Sequence, residues 1–258
     1  MRNLISVIGD KEIADISRED ALTFREWWLD RVRRDGIEVG TANKDIGHLN
    51  GMLNDIDDLH RLNLGRVFDR MRLRGEKTNQ APSFTTEWVR DKLLAPGALA
   101  GLNKEARIVV LIMCNTGMRP SEIVNLSKER LRLGSNVPHV EIAAEDRQMK
   151  TDHSARTMPL VGISLEGARQ APQGFAKYRG NGDTLSATVN KFLTENNLKQ
   201  TPKHTLYSLR HNFQDRLIKV EAPERIQAEL MGHKFHRPKY GKGPSLEQKA
   251  EWLDKIAL

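Results

Sequence analysis

The chain has 258 residues, enough for one large domain or for two smaller ones that each bury a core. Its 41 Lys and Arg exceed its 34 Asp and Glu, a formal charge of +7 that suits a polyanion or an acidic membrane surface. A lone cysteine, Cys114, excludes an intrachain disulfide and a cysteine zinc cluster, and no apolar run is long enough to cross a membrane as a helix. The opening MRNLISVIGD turns polar too soon for a signal peptide, so a soluble, cytoplasmic protein is expected. Charge is uneven: residues 1–75 hold 13 Lys and Arg against 14 Asp and Glu, whereas the remainder holds 28 against 20. Affinity for an anion therefore sits mainly in the later part.

In chain order, a helix is predicted over residues 16–35, with Ser17 or Asp20 as its cap and Leu22, Trp27, Trp28 and Val32 as its apolar side. A second helix opens at Thr41, where Ile46, Leu49, Leu53, Ile56 and Leu59 recur three or four residues apart, and the two helices can pair as a small bundle. Residues 61–75 have no clear period. The polar, proline-bearing GEKTNQAPS reads as a connector, giving a first domain over 1–75, a linker at 76–84 and a second domain over 85–258. Helices follow at 84–94 and 103–114, the latter carrying IVVLIMC, in which Cys114 reads as a small buried hydrophobe. NTGMRP breaks this helix, and Pro120 suits the first turn of the next. HVEIAAE and ARTMPL read as paired strands, with DRQMKTDHS as the exposed tip between them. Helices are predicted again at 184–196, 206–218 and 223–230. The last segment, SLEQKAEWLDKIAL, is amphipathic, with Leu246, Ala250, Leu253 and Ala257 on one face. It packs either on its own core or on a neighbouring subunit.

Several residues carry potential chemistry. In NTGMRPSE, Gly117 permits an unusual turn, and Glu122 stands three residues beyond Arg119, where it can hold the guanidinium; an ordinary surface pair is the alternative. In SLRHNF, Arg210 and His211 ride a helix whose Leu209, Phe213 and Leu217 pack inward. His204 just before it reads as a cap or a DNA contact. Lys150 lies at the hairpin tip, either reaching a phosphate or simply solvated. Tyr240, one of three tyrosines, stands in RPKYGKG, seven residues beyond His233 and amid basic side chains. A phenol ionises near pH ~10, so it needs adjacent cations and base assistance to act as a nucleophile.

Taken together, TGMRPSEI, the lysine-bearing QMKT…RTMPL hairpin, YSLRH, LMGHK and KYG resemble, in that order, the motifs of the tyrosine recombinases, the phage-integrase family, across about residues 85–243. The resemblance implies a mainly α fold with a small β-sheet, comprising a helical core-binding domain and a mixed α/β catalytic domain. It implies Arg119 and Arg210 as catalytic arginines, Glu122 as support for the first, Lys150 as general acid, His233 as a phosphate ligand and Tyr240 as nucleophile. The family usually has His or Lys three residues before the second arginine, where this chain has Tyr207. Tyr207 can orient the phosphate, or His211 can share that task. The implied reaction cleaves and rejoins double-stranded DNA through a 3′-phosphotyrosyl bond, with no cofactor and no metal. The implied partners are DNA and other copies of the chain, in a tetramer on two duplexes linked by exchange of the C-terminal helix, with accessory DNA-bending proteins as further candidates. DNA contacts are expected from Arg31, Arg33, Arg34, Arg72 and Arg74 in the first domain and from Lys203 and His204 in the second. The competing readings are a type IB topoisomerase-like enzyme that relaxes one duplex and a helical DNA-binding protein without catalysis.

Overall fold

The computed structural model describes residues 1–76, 81–143, 155–237, 241 and 243–258. The chain forms two compact units, Met1–Gln80 and Ala81–Leu258. It is mainly helical, with one small antiparallel sheet.

In the first unit, α1 (Arg2–Ile8) and α2 (Arg18–Arg34) precede the long α3 (Val39–His60). A reciprocal cap starts α2: Ser17 Oγ accepts from the Asp20 N–H at 3.2 Å, and the Asp20 carboxylate accepts from the Ser17 N–H at 2.9 Å. Such a cap contributes about 0.5–2 kcal/mol. Acidic residues in the first turn of α2 and arginines in its last both complement the helix dipole. Phe24 and Trp28 of α2 meet Ile46, Leu49 and Leu53 of α3, with Leu4, Phe68 and Met71 completing the core. The expected apolar sides face the core over most of their length: Trp28, Ile46, Leu49 and Leu53 are buried, and Trp27 and Val32 pack against them. Leu22 is 43% exposed while Ala21 and Phe24 are buried, and Leu59, near the end of α3, is 76% exposed. Residues 61–76 wrap the bundle as a loop pinned from a distance. Asn43 donates to the Leu73 carbonyl and accepts from its N–H, and Arg18 donates to the carbonyls of Val67 and Asp69, each at 2.7 Å.

In the second unit, α4 (Thr86–Trp88) runs into a π turn, Val89–Leu93. Next comes the central α5 (Lys104–Thr116), whose Ile108, Val109, Val110, Ile112, Met113 and Cys114 are all buried. Burial pushes the Cys114 thiol up to about 12, so it packs as an inert hydrophobe. After α6 (Pro120–Val124), the strands β1 (Leu131–Arg132), β2 (His139–Ile142) and β3 (Arg156–Pro159) pair in the order β1-β2-β3, with Val140 opposite Met158. The expected hairpin tip lies outside the described residues. Helices α7 (Gly162–Arg169), α8 (Gly182–Glu195), α9 (Ser208–Lys219) and α10 (Glu224–Met231) surround α5 and the sheet. The last helix, α11 (Leu246–Asp254), packs against β3 of its own chain. Of the predicted face, Leu253 is buried, Leu246 and Ala250 are partly covered and Ala257 is exposed; Lys249 and, just past the helix end, Ile256 are buried as well. Lys249 tolerates burial because its ammonium reaches the Thr157 carbonyl and hydroxyl, each at 3.3 Å, and the Glu229 carboxylate at 3.5 Å.

Candidate active site

The helix α5 stops at Gly117, whose φ of +56° is left-handed and where a Cβ would lie 2.3 Å from the Phe213 ring. Only glycine fits this corner, which turns the chain so that Arg119 opens α6 with Pro120 at its first position. The Arg119 side chain donates to Glu122 Oε1 at 2.8 Å, and its backbone N–H donates to Oε2 at 2.8 Å.

Glu122 has no side-chain exposure and holds a second cation that the sequence motifs did not single out. This is Arg156 on β3, whose guanidinium grips both carboxylate oxygens, at 3.1 and 2.9 Å, and whose Nε–H donates to the Leu230 carbonyl at 3.0 Å. Burial raises the pKa of Glu122, but Arg156 first and Arg119 second overcome this and hold it at about 2. The sequence carries no local sign of this pairing, because the burial of Glu122 that calls for a second cation is itself a tertiary property.

Arg210 on α9 is 2% exposed. Its Nη1 donates to the Gly117 carbonyl at 2.6 Å, and its Nη2 donates to the Met231 carbonyl at 2.5 Å and to His233 Nε2 at 3.1 Å. Burial, then the nearby charge of Arg119, pushes its pKa down to about 10, so it stays charged at neutral pH. His233 follows Gly232, the left-handed end of α10, and its N–H reaches back to the Ala228 carbonyl at 2.9 Å. Burial and the charges of Arg210, Arg119 and Arg156 lower its pKa, which favours the neutral ring. Its Nε2 then accepts from Arg210, and the ring proton rests on Nδ1. A cleft of about 380 Å³ opens beside His233, lined in part by Gln214, Gln227, Phe235 and Arg237. The structure thus brings Arg119, Glu122, Arg210 and His233 together at the end of α10. Guanidinium groups set this way suit an anion with several oxygens, above all a phosphate.

Other expected residues fall elsewhere. Tyr207 is 40% exposed at the start of α9 and meets His211 edge to face at 5.5 Å. Burial lowers the His211 pKa, against the pull of Asp215. Lys203 is exposed. His204 does not fit its expected role as a cap or DNA contact. It is 3% exposed, stacks on Phe84 at 4.6 Å, accepts from the Thr201 N–H at Nδ1 and meets the Ser83 carbonyl through Nε2 at 3.1 Å. Ser83 and Phe84 lie 121 and 120 residues upstream, beyond any local pattern. Lys150 and Tyr240 lie outside the described residues. In the first unit, Arg31 pairs with Asp35 and lies over Trp27 and Trp28, Arg34 pairs with Asp30, and Arg72 pairs with Glu76. Arg33 and Arg74 are exposed. Among the described residues, no cluster of three His, Cys, Asp or Glu is placed to hold a metal ion, and no helix is long and apolar enough to cross a membrane.

The phage integrase family model matches residues 91–237. No curated protein matches the chain. Among solved structures, the Tn1549 transposon integrase in complex with transposon right end DNA is similar at 18% identity, covering 100% of this chain and 86% of that one with a TM-score of 0.62. A lambda integrase dimer bound to a COC′ core site is similar at 15% identity, covering 98% and 85% with a TM-score of 0.63. The integrase from mycobacterium phage Brujita is similar at 18% identity, covering 99% and 83% with a TM-score of 0.52. At these identities the likeness establishes the fold.

Proposed function

The chain belongs to the phage integrase family, and on that footing we propose that it is a site-specific recombinase that cuts and reseals double-stranded DNA through Tyr240. The observation that supports this reading is the convergence of Arg119, Arg210 and His233 at the end of α10, with Glu122 clamped behind them by Arg156. In the proposed step the Tyr240 oxygen bonds to a backbone phosphorus as the phenol releases its proton to water. The P–O5′ bond breaks, and Lys150 protonates the departing oxygen. Negative charge grows on the nonbridging oxygens, where fixed guanidinium donors stabilise the transition state more than the ground state. Arg119 and Arg210 take that task. His233 gives up its bond from Arg210 and turns so that its Nδ1–H donates to a phosphate oxygen. The 3′-phosphotyrosyl link keeps the energy of the original bond, so an incoming 5′-hydroxyl reverses the step without a nucleotide cofactor.

Solved structures similar to this chain include a lambda integrase tetramer on a Holliday junction. By analogy, four copies of this chain act on two duplexes, and the cytoplasm is the proposed compartment. Exchange of α11 between copies would require Lys249 to leave Thr157 and Glu229.

Trapping on a nicked half-site duplex tests the assignment. An adduct that survives denaturation should form with the natural chain and be absent in Tyr240→Phe. Arg119→Ala and Arg210→Ala should slow its formation by about 10²-fold or more while leaving DNA binding nearly unchanged. Parallel loss of binding and cleavage would overturn the roles given to the arginines. Exchange between two duplexes separates a recombinase from an enzyme that only relaxes one.

A further inference from the structure

We propose that Arg225 and Glu229 of α10 are positioning residues that set the reach of the nucleophile. This rests on the assignment of Tyr240 above. Gly241, the residue after Tyr240, has its carbonyl bonded by Arg225 Nη2 at 3.3 Å. Two residues on, Gly243 is pressed so closely on the same pair that a Cβ would lie 2.6 Å from Glu229 Oε1 and 3.2 Å from Arg225 Nη2. Both glycines are left-handed, with φ of +72° and +90°. Gly241 is therefore tethered to α10 by a hydrogen bond, and Gly243 lies close against the same two side chains.

The same helix anchors groups of the candidate site at its C-terminal end. The Leu230 carbonyl takes Arg156, the Met231 carbonyl takes Arg210, and His233 follows. On this proposal α10 fixes the spacing between Gly241 and Gly243 and the guanidinium cluster. Glu229 is itself held from both sides, by Arg225 Nε at 3.6 Å and by the buried Lys249 ammonium of α11 at 3.5 Å. Arg225 and Glu229 are partly exposed, so their ion pair contributes little to stability. Its role is geometric, because misplacing a reacting atom by about 1 Å can cost roughly 10²-fold in rate.

Single-turnover cleavage of a nicked half-site is the test, with DNA affinity and thermal midpoint measured on the same variants. Arg225→Ala and Gly243→Ala should each slow adduct formation by about tenfold or more, with affinity and midpoint near those of the natural chain. Arg225→Lys, which keeps a cation, should recover part of the rate. Glu229→Gln gives an independent arm should a glycine variant fold poorly. Natural cleavage rates in Arg225→Ala and Glu229→Gln sink the proposal, as does loss that merely tracks DNA affinity or the midpoint. An adduct persisting in Tyr240→Phe instead removes the nucleophile assignment on which it rests.

Discussion

The Glu122 side chain has no exposure and sits between two guanidinium groups, so it stabilises the fold only while ionised. Its folded pKa, about 2, is below its ordinary 4.5. A depressed carboxylate stabilises above its unfolded value and loses that contribution as pH falls through the folded one. The stabilisation is therefore complete above pH 4.5 and decays toward about pH 2. Glu122→Gln should cost about 3–5 kcal/mol at neutral pH, since it leaves Arg156 buried without its counterion. Denaturant titrations of both proteins across pH should show the gap closing below 4.5. A gap independent of pH would mean that packing, not charge, makes Glu122 important.

At the scale of elements, the helix ends carry the site. Gly232 ends α10 at φ +61°, and a Cβ there would meet Arg156 Nη1 at 2.6 Å. Gly180 has a φ of +74° but open space around its missing Cβ. Alanine at either position should lose about 1–3 kcal/mol from backbone strain, read as a lower thermal midpoint. Only Gly232→Ala should also slow DNA cleavage, by displacing Arg156 from Glu122. The cap at Ser17, the start at Pro120 and the pairing of HVEI with RTMP were legible because each is encoded within a few residues. Helix α7 was not, since GISLEGAR carries two glycines and is held mainly by packing on α5. Residues 61–76 were opaque for a related reason: Asn43 and Arg18 organise them from about thirty and fifty positions away. Most of the site could be read as an ordered set of short motifs. Arg156 could not, because its carboxylate lies 34 residues upstream, and His204 was misassigned because its burial depends on Ser83 and Phe84.

For the whole molecule, the charge of +7 predicts DNA binding that weakens steeply with salt. With roughly 6–10 phosphate contacts, affinity should fall by about 10³–10⁵ between roughly 50 and 200 mM salt. Among the described residues no carboxylate pairs with Arg33 or Arg74, whereas Arg31, Arg34 and Arg72 each have one. Arg33→Ala and Arg74→Ala should therefore each lower the salt slope measured by anisotropy by about one, and Arg34→Ala by less. Unchanged slopes would remove the first unit from the DNA-contacting surface. Each unit closes a hydrophobic core from its own elements. Each unit is therefore expected to unfold as its own cooperative body, so a heating curve of the free chain should resolve into two transitions, the second unit's midpoint being the one that reports the site variants. A duplex gripped by both would fuse them into a single endotherm, making calorimetry a direct readout of whether both halves hold the same nucleic acid.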